Sequence, residues 1–459
     1  MTASSEHQVE TQTFPVELLH LIFENLDSSD LKACSLVAKL WASLCRPYLF
    51  KKVDLSPYFS QKTKKIVIKR IARLAILFKK YPNLIDSIRL INFTLPRVPF
   101  AWHPRKVNVD GPAIPNSLST VIQLPKVQTL NILLWECGIT TREAYHAGTQ
   151  YLGWRILLDR CIEGNQLTTV SLSGLSNLPI LPILSCQKLT SLSMVCCHMM
   201  DVTSSLPALL AEKRGFALKH LKLRYVENMP LSLLSLCSFL QTIEELHESA
   251  FSQVESGVSI PYSSRFPNVT SLDINNVVGW DRRTSFPAVT SLTISGSFNG
   301  LPRFGNLEKL HLSFSDDLES DTYQDEHWDE LSQIIHESRF HLTDISFNVF
   351  SESDACPSLR GIQTLLSSIK GKNALRSFGI RMEELVTDAD EWWLTSYHSW
   401  KQLGDTLGSI SDFPHLQEVS FSLLVEASLS TKEDVQEALE EHGLAGGIRV
   451  VAGFLCKSP

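Results

Sequence analysis

The sequence predicts an α/β protein in which a short N-terminal helical module precedes a curved parallel sheet with outer helices and loops. Two observations predict this class. Apolar residues recur at helical spacing near the N-terminus. A unit of the form apolar-x-x-apolar-x-apolar then recurs along the chain, with helical stripes in several of the gaps. Because 44% of the 459 residues are hydrophobic and 20% are charged, a wholly disordered chain is excluded.

The helical module is expected at residues 13–55, after a flexible polar tail at residues 1–12. Pro15 suits the first turn of a helix because its missing N–H would be unpaired there anyway. The segment 27–30 ends this helix and can cap a second one, which we expect to end at Arg46-Pro47. The apolar positions of the second helix are Leu31, Cys34, Leu36, Val37, Leu40, Trp41 and Leu44.

These residues resemble an F-box. The matching anchors are Phe14-Pro15-x-Glu17-Leu18-Leu19-x-x-Ile22-Phe23-x-x-Leu26-x-x-x-Asp30-Leu31, then Ser35-Leu36-Val37-x-x-x-Trp41 and Arg46-Pro47-Tyr48-Leu49-Phe50. The sequence departs from the usual pattern at Phe14, where leucine is common, and at Lys39-Leu40, where Cys-Arg is common. The resemblance implies that the module binds the adapter subunit of an SCF-type cullin–RING ubiquitin ligase.

A module of about 43 residues cannot bury so many large apolar side chains internally, so we expect a partner to complete its core. Some of these side chains must instead hold the module together, and the sequence does not assign their faces. The alternative is an ordinary helical hairpin packed on the rest of the chain. The predicted adapter-binding residues are Phe14, Pro15, Leu18, Leu19, Ile22, Leu26, Leu31, Val37 and Trp41.

Residues 56–83 are expected to be a basic linking helix. The stretch 51–80 holds ten lysines or arginines and one acid, Asp54. We expect its apolar stripe to pack on the first repeat and its lysines to face water. The alternative is contact with a membrane surface or with a helix-binding partner. The stripe consists of Val67, Ile71, Leu74, Ala75 and Phe78.

Residues 84–459 are expected to form a solenoid that resembles irregular leucine-rich repeats, although the asparagine usual after each strand is mostly absent. A short strand explains the spacing, because Leu292 and Ile294 enter a core while Ser291 and Thr293 face solvent. Ile243-Glu244-Glu245-Leu246 is a degenerate candidate unit. The other units begin at Ile85, Val127, Leu167, Leu189, Leu218, Val269, Val289, Leu307, Leu342, Leu375 and Leu416.

Segments between the units carry further predictions. Helical stripes are expected around Trp328, at 359–369 and at 392–407, and residues 447–451 are expected to form an edge strand. Six prolines in residues 94–126 predict a long loop. Residues 315–330 hold eight acids and no lysine or arginine, and they form either a solvated surface or a contact for a basic ligand.

No catalytic or metal-binding constellation is found, so we expect neither an enzyme nor a cofactor. No glycine-rich phosphate loop or G-x-S-x-G motif occurs. Cys196-Cys197-His198 is expected to be a half-buried strand end, because adjacent cysteines do not readily ligate one tetrahedral metal. His336 and His341 lie five residues apart, whereas a helical metal-binding pair needs four.

Net charge, N-terminal pattern and cysteine usage limit the expected partners and cellular compartment of the protein. The net charge of −7 argues against a nucleic-acid partner. The sequence contains no apolar run of roughly 18 residues, so we expect no membrane span. The N-terminus lacks the pattern of a secretory signal. Ten cysteines without a C-x-x-C pair fit reduced thiols, so we expect the cytoplasm or the nucleus.

Together these features predict a substrate-recognition subunit that presents a client protein to the ligase, so that the protein acts in protein ubiquitination and degradation. Two alternatives stay open: an F-box scaffold acting outside ubiquitin transfer, and a solenoid receptor for a small molecule. The client itself is unknown. Strand alternation predicts a client surface on the concave sheet that includes Ser171, Lys222, Asp273, Thr293, Lys309, His311, Ser346 and Glu418.

Overall fold

A computed structural model describes most of the helical and strand elements. The chain divides into two compact units, Met1–Leu175 with Cys186–Leu189, and Ser176–Ser185 with Thr190–Pro459. The predicted tail, residues 96–124 of the predicted proline-rich loop and the aromatic part of the third helical stripe lie outside the described residues. The described residues are 15–56, 58–60, 65–67, 69–95, 125–134, 154–175, 177–200, 215–226, 229, 231–247, 266–278, 285–299, 301–302, 304–316, 325–351, 357–384, 402–425, 449–450 and 453–454.

The first unit opens with three helices rather than the two that the sequence predicts. They are α1 (Val16–Asn25), α2 (Ser28–Val37) and α3 (Lys39–Leu49). Asp27 caps α2, because its carboxylate accepts the backbone N–H groups of Ser29 at 2.7 Å and Asp30 at 2.8 Å. The expected second helix is broken at Ala38, whose extended backbone (φ −155°) separates α2 from α3, and Pro47 lies inside α3 instead of ending it.

The basic segment that follows is helical over only part of its predicted length. Strands β2 (Tyr58–Ser60) and β3 (Lys65–Val67) form an antiparallel pair, so Val67 belongs to a strand. Helix α4 (Lys69–Lys80) then buries Phe78, as expected for the apolar stripe. A 3₁₀ helix, Pro82–Ser87, follows it. Tyrosine, phenylalanine, isoleucine and valine favour extended backbone in the paired strands, which explains where the helix prediction fails.

The other strands of the first unit are β1 (Lys52–Asp54), β4 (Leu90–Leu95), β5 (Thr129–Leu134) and β6 (Thr169–Ser173). They form a parallel sheet in the order β1-β4-β5-β6. Another helix among the described residues of this unit is α5 (Trp154–Glu163).

The first repeat lies three residues later than predicted. The predicted unit starts at Ile85, but that residue belongs to the 3₁₀ helix. The observed unit starts at Ile88, and its Ile91 and Phe93 are buried. Ile91 pairs with Leu130 of β5, which is the equivalent position of the next unit. Both spacings fit the apolar template, and Pro82 selects the later one because it favours the start of a helical turn.

The second unit is a longer parallel sheet whose strands follow chain order from β7 to β15, with β16 and β17 both paired to β15. Every unit predicted from Leu189 onward forms a strand, and the expected edge strand is present as β16. The strands are β7 (Ser191–Val195), β8 (His220–Arg224), β9 (Thr242–His247), β10 (Ser271–Val278), β11 (Ser291–Asn299), β12 (Lys309–Asp316), β13 (Asp344–Ser351), β14 (Ser377–Glu384), β15 (Glu418–Val425), β16 (Arg449–Val450) and β17 (Gly453–Phe454).

A backbone ladder fixes the register of these strands just before each one begins. The N–H groups of Thr290 and Ser291 both donate to the carbonyl of Thr270, and those of Glu308 and Lys309 donate to the carbonyl of Thr290. The same step recurs from Thr190 to Gln417. Leu272, Leu292, Leu310, Ile345, Phe378 and Val419 therefore align across neighbouring strands on the buried side.

The degenerate unit at Ile243 is a strand with one extra residue. Ile243 and Leu246 are both buried although they are three residues apart. Glu245 between them has a φ of 53°, and the register of β9 against β10 shifts at this point. A β-bulge therefore accommodates the insertion and returns Leu246 to the core.

The structure contains a column of stacked phenylalanines beneath the sheet that was not predicted from the sequence. The rings of Phe266 and Phe286 are 4.8 Å apart with an interplanar angle of 9°, and those of Phe286 and Phe304 are 6.3 Å apart at 23°. Each of these residues lies three positions before the first apolar residue of its unit, and Phe413 occupies the same position before Leu416. This spacing is the sequence signal for the column.

The segments that connect the strands of the second unit contain helices where the longer spacings between repeat units predict them. Trp328 packs edge-on against Phe314 with ring centroids 5.1 Å apart, and Gly361 lies against the indole of Trp328. Residues 402–407 are helical and bury Leu403 and Leu407, the described part of the third stripe. None of the described helices combines the length and apolar character needed to cross a bilayer. The helices are α6 (Ile180–Leu184), α7 (Leu231–Leu234), α8 (Asp325–Ser338) and α9 (Pro357–Ser368).

Candidate functional site

The three N-terminal helices share a small internal core. Leu19, Phe23, Leu31 and Cys45 are buried in it, and Leu26, Cys34, Trp41, Leu44, Tyr48 and Leu49 pack around them. The Phe23 ring meets the rings of Trp41 at 5.7 Å and Tyr48 at 6.4 Å, both edge-on. The Nδ1 atom of His20 lies 2.9 Å from the Tyr48 hydroxyl. Burial raises the pKa of Cys45 and of Tyr48.

A second set of apolar side chains on these helices faces water, and we call it the outer apolar face. Leu36 is 86% exposed and Val37 is 67% exposed. Leaving large aliphatic groups in water is unfavourable, and several such groups on one small module mark a surface that a partner covers. The outer apolar face consists of Leu18, Leu21, Ile22, Leu36, Val37 and Leu40.

The structure divides the predicted adapter-binding residues between these two environments. Leu18, Ile22 and Val37 lie on the outer apolar face, and Pro15 is exposed beside it in sequence. Leu19 and Leu31 are each 5% exposed, so their side chains hold the module together instead of presenting a contact surface. Leu26 and Trp41 are half-buried around the same core, and Phe14 lies outside the described residues.

Sequence reasoning missed Leu21, Leu36 and Leu40 as candidate contact residues. Leu36 and Leu40 are four residues apart in sequence, and the predicted single helix would have placed them on one face. The break at Ala38 instead puts them on two helices, and both side chains remain exposed. Their apolar character was the available signal, but helical spacing alone does not separate an internal face from one that a partner covers.

The predicted client residues all lie at exposed or half-buried strand positions. Ser171 belongs to β6 of the first unit, and the other seven belong to strands of the second unit. Each alternates along its strand with buried apolar residues, as Thr293 does between Leu292 and Ile294. Asp273, Thr293, His311 and Ser346 form one continuous row across β10 to β13.

Opposite charges meet at one end of this row. The Lys222 ammonium lies 3.1 Å from a carboxylate oxygen of Glu245 and 3.8 Å from one of Glu244. Arg224 Nε lies 3.9 Å from the other Glu245 oxygen. Burial raises the pKa of Asp273, the Glu245 and Glu244 carboxylates raise it further, and the backbone hydrogen bond from Glu245 and the charge of Lys222 oppose the rise.

Neutral hydrogen-bonding groups occupy the other end of the row. His311 Nδ1 lies 2.7 Å from the Ser346 hydroxyl, and burial lowers the pKa of His311. In the first unit, the side-chain amide of Asn131 donates to the side-chain oxygen of Asn92 at 2.9 Å. Asn92, Asn131 and Ser171 occupy paired positions on β4, β5 and β6. These exposed strand positions offer hydrogen bonds and a few paired charges to a ligand.

Several cysteines are buried in the described part of the chain. Burial raises the pKa of Cys161 and of Cys237 to about 12 each, which keeps both thiols protonated and unreactive at neutral pH. Cys197 donates its thiol to the Val195 carbonyl at 3.3 Å, at the end of β7. No group of three or more His, Cys, Asp or Glu residues is placed to hold a metal ion within the described residues.

Comparison with known proteins identifies the N-terminal module. A family model described as F-box-like matches residues 12–56, about a tenth of the chain. The matched segment holds the three helices, their core and the outer apolar face. A comparison with curated proteins gives no match. The chain therefore carries an F-box-like domain followed by a long parallel sheet of repeat-like units.

Proposed function

We propose that this protein is a substrate-recognition subunit of an SCF-type cullin–RING ubiquitin ligase. The F-box-like domain docks the ligase adapter, and the repeat-like sheet binds a client protein. The observation that carries the proposal is the coincidence of the F-box-like match at residues 12–56 with the outer apolar face. An F-box-like module that left no apolar surface in water would give the adapter nothing to cover.

In this proposal the chain itself performs no bond chemistry and needs no cofactor. Its contribution is proximity, because holding the client beside the ubiquitin-charged enzyme raises the effective concentration of the two reactants. The half-buried strand row from Asp273 to Ser346, with Lys222 beside it, supports the client-binding role, since its polar side chains lie outside the apolar core and remain able to contact a ligand. We place this activity in the cytoplasm or the nucleus.

The adapter contact is tested by capture with purified adapter. Changing Leu36 or Val37 to aspartate puts a charge on the outer apolar face without touching the internal core. Each change is expected to weaken capture by about 2 kcal/mol or more, roughly thirtyfold, because an anchor side chain is lost and a charge must be desolvated.

A matched control comes from the second unit. Ile410 is 82% exposed and lies far from the F-box-like segment in sequence, so Ile410→Asp is expected to leave adapter capture unchanged. Circular dichroism should show the same helical content in all three variants. Undiminished capture by the Leu36→Asp and Val37→Asp proteins would refute adapter docking through this face.

Client recognition needs a separate measurement. Proximity labelling in cells compares the full chain with a Lys222→Ala, His311→Ala double variant. The variant is expected to lose a subset of the proteins that the wild-type chain labels, and these should be proteins whose half-lives the wild-type chain shortens. A protein that binds the adapter but changes no half-life would instead be an F-box scaffold. That outcome would remove the degradation role while leaving adapter docking intact.

A further inference from the structure

A positively charged surface lies where α3 and α4 end, and we call it the basic face. The Arg46 guanidinium lies 5.9 Å from the centre of the Tyr81 ring, and the Lys80 ammonium lies 5.4 Å from it. Arg73, Ile76 and Lys80 are three and four residues apart on α4, so they share one side of that helix. The basic face consists of Arg46, Arg73, Ile76, Lys79, Lys80 and Tyr81.

Among the described residues, the charges of this face have no acidic partner. Arg46, Arg73, Lys79 and Lys80 are exposed, and none of them forms an ion pair within the described part of the chain. Four cations therefore lie close together in a chain whose net charge is −7. Lys79 and Lys80 are favourable in the last turn of α4 because the helix dipole is negative there. The dipole does not account for Arg46 or Arg73.

An apolar residue lies among these cations. Ile76 is 70% exposed, and Tyr81 is 38% exposed between two positive groups. Phe78 on the same helix is buried and anchors α4 in the protein, whereas Arg73, Ile76, Lys79 and Lys80 are exposed to a partner. Cations around an aliphatic side chain and an aromatic ring match the headgroup region of a bilayer, where phosphates meet the ends of the acyl chains.

The exposed Ile76 among the cations favours a membrane over an acidic peptide, because a bilayer supplies phosphates and an apolar boundary together. The outer side of a helix is convex, and it meets a flat surface along its length. Peptides bind in grooves or along strand edges, where the protein surrounds them. We propose that the basic face holds the protein peripherally against an anionic lipid surface, with Ile76 at the depth of the headgroups.

Vesicle flotation with the full chain tests the proposal. Phosphatidylcholine vesicles that contain phosphatidylserine are expected to carry the protein upward, and vesicles of phosphatidylcholine alone are not. Each cation removed near an anionic surface lowers partitioning by about fivefold, so the Arg73→Glu, Lys80→Glu variant should lose at least 25-fold, roughly the product of two such steps. Ile76→Ser should weaken binding severalfold at unchanged charge, and added salt should release the wild-type protein.

The control carries the same change in net charge elsewhere. Arg360 and Lys372 are exposed in the second unit, and Arg360→Glu, Lys372→Glu is expected to float like the wild-type protein. Equal loss in both double variants, or equal flotation with uncharged vesicles, would overturn the proposal. Capture of the wild-type protein by immobilised poly-glutamate without any flotation would overturn it in favour of an acidic protein partner.

Discussion

Replacing Phe286 tests whether the phenylalanine column beneath the sheet stabilises the second unit. The ring is fully buried between Phe266 at 4.8 Å and Phe304 at 6.3 Å. Phe286→Ala removes the whole ring and is expected to cost about 3–5 kcal/mol. Phe286→Leu keeps most of the buried volume and loses mainly two aromatic contacts, each worth about 0.5–1.5 kcal/mol, so it should cost about 1–3 kcal/mol.

Urea unfolding followed by circular dichroism measures these differences. The slope of unfolding free energy against urea concentration must be compared first, because a repeat array can lose its cooperativity when one contact between neighbouring units is weakened. Phe239→Ala is the matched control, since this ring is 59% exposed and its loss should change the free energy by no more than about 0.5 kcal/mol.

The result that refutes the reasoning is specific. If Phe286→Ala costs under about 1 kcal/mol with an unchanged slope, the column is not a stabilising element of this sheet. A double variant, Phe266→Leu with Phe286→Leu, adds a test of the stacked pair. Strict additivity of the two single losses would show that the near-parallel rings contribute nothing beyond their burial.

Three further predictions concern helix packing, a helix cap and a titrating acid. Gly361→Ala should lower the free energy of unfolding by about 1–3 kcal/mol despite better helix propensity, because the new methyl group would overlap the indole of Trp328. Asp27→Ala should cost about 1 kcal/mol in urea unfolding, since two backbone N–H groups of α2 lose their acceptor. Asp273→Asn should raise the free energy of unfolding at neutral pH, and this gain should decrease as pH falls below the native pKa of the carboxyl and vanish below its unfolded pKa. The sign follows because a raised native pKa means that the folded protein binds the proton more tightly than the unfolded chain, so ionisation above that pKa destabilises the fold.

Each of these predictions has its own control. A methyl group added at Gly305 would meet no described atom within 4 Å, so Gly305→Ala should be neutral, and an equal loss at both glycines would contradict the overlap argument. Asp30→Ala removes the same charge from the first turn of α2 without removing the cap, and it should cost less than Asp27→Ala. A pH-independent effect of Asp273→Asn would show that the carboxyl titrates normally.

The repeated strands were predictable because their signal is local and periodic. Leu292 and Ile294 alternate with Ser291 and Thr293, and a strand with one buried face produces that pattern directly. The first unit was placed three residues early because Ile85 and Ile88 both satisfy the template. Only the turn after Pro82 distinguishes them, and turn geometry is weakly encoded in apolar spacing.

The exposed apolar side chains of the F-box-like module were predictable as a region but not residue by residue. Leu18 and Leu19 are adjacent leucines with the same helix propensity, yet the first is 47% exposed and the second 5% exposed. Their environments depend on how α1 packs against α3, and that packing depends on the break at Ala38. Lys222 and Asp273 at the charged end were predicted, but Glu244 and Glu245 were not, since the bulge at Glu245 shifts the alternation of β9.

The backbone ladder makes the alignment of neighbouring strands independent of the length of the segments that connect them. Val289 and Leu307 are 18 residues apart and Leu307 and Leu342 are 35 apart, yet Thr293, His311 and Ser346 remain direct neighbours. Residues can therefore be inserted or deleted in the return segments while the row keeps its inter-strand step of about 4.8 Å. Natural variation in loop length would then leave the row of strand side chains unaltered, whereas an insertion within a strand must be absorbed by a bulge, as at Glu245 in β9.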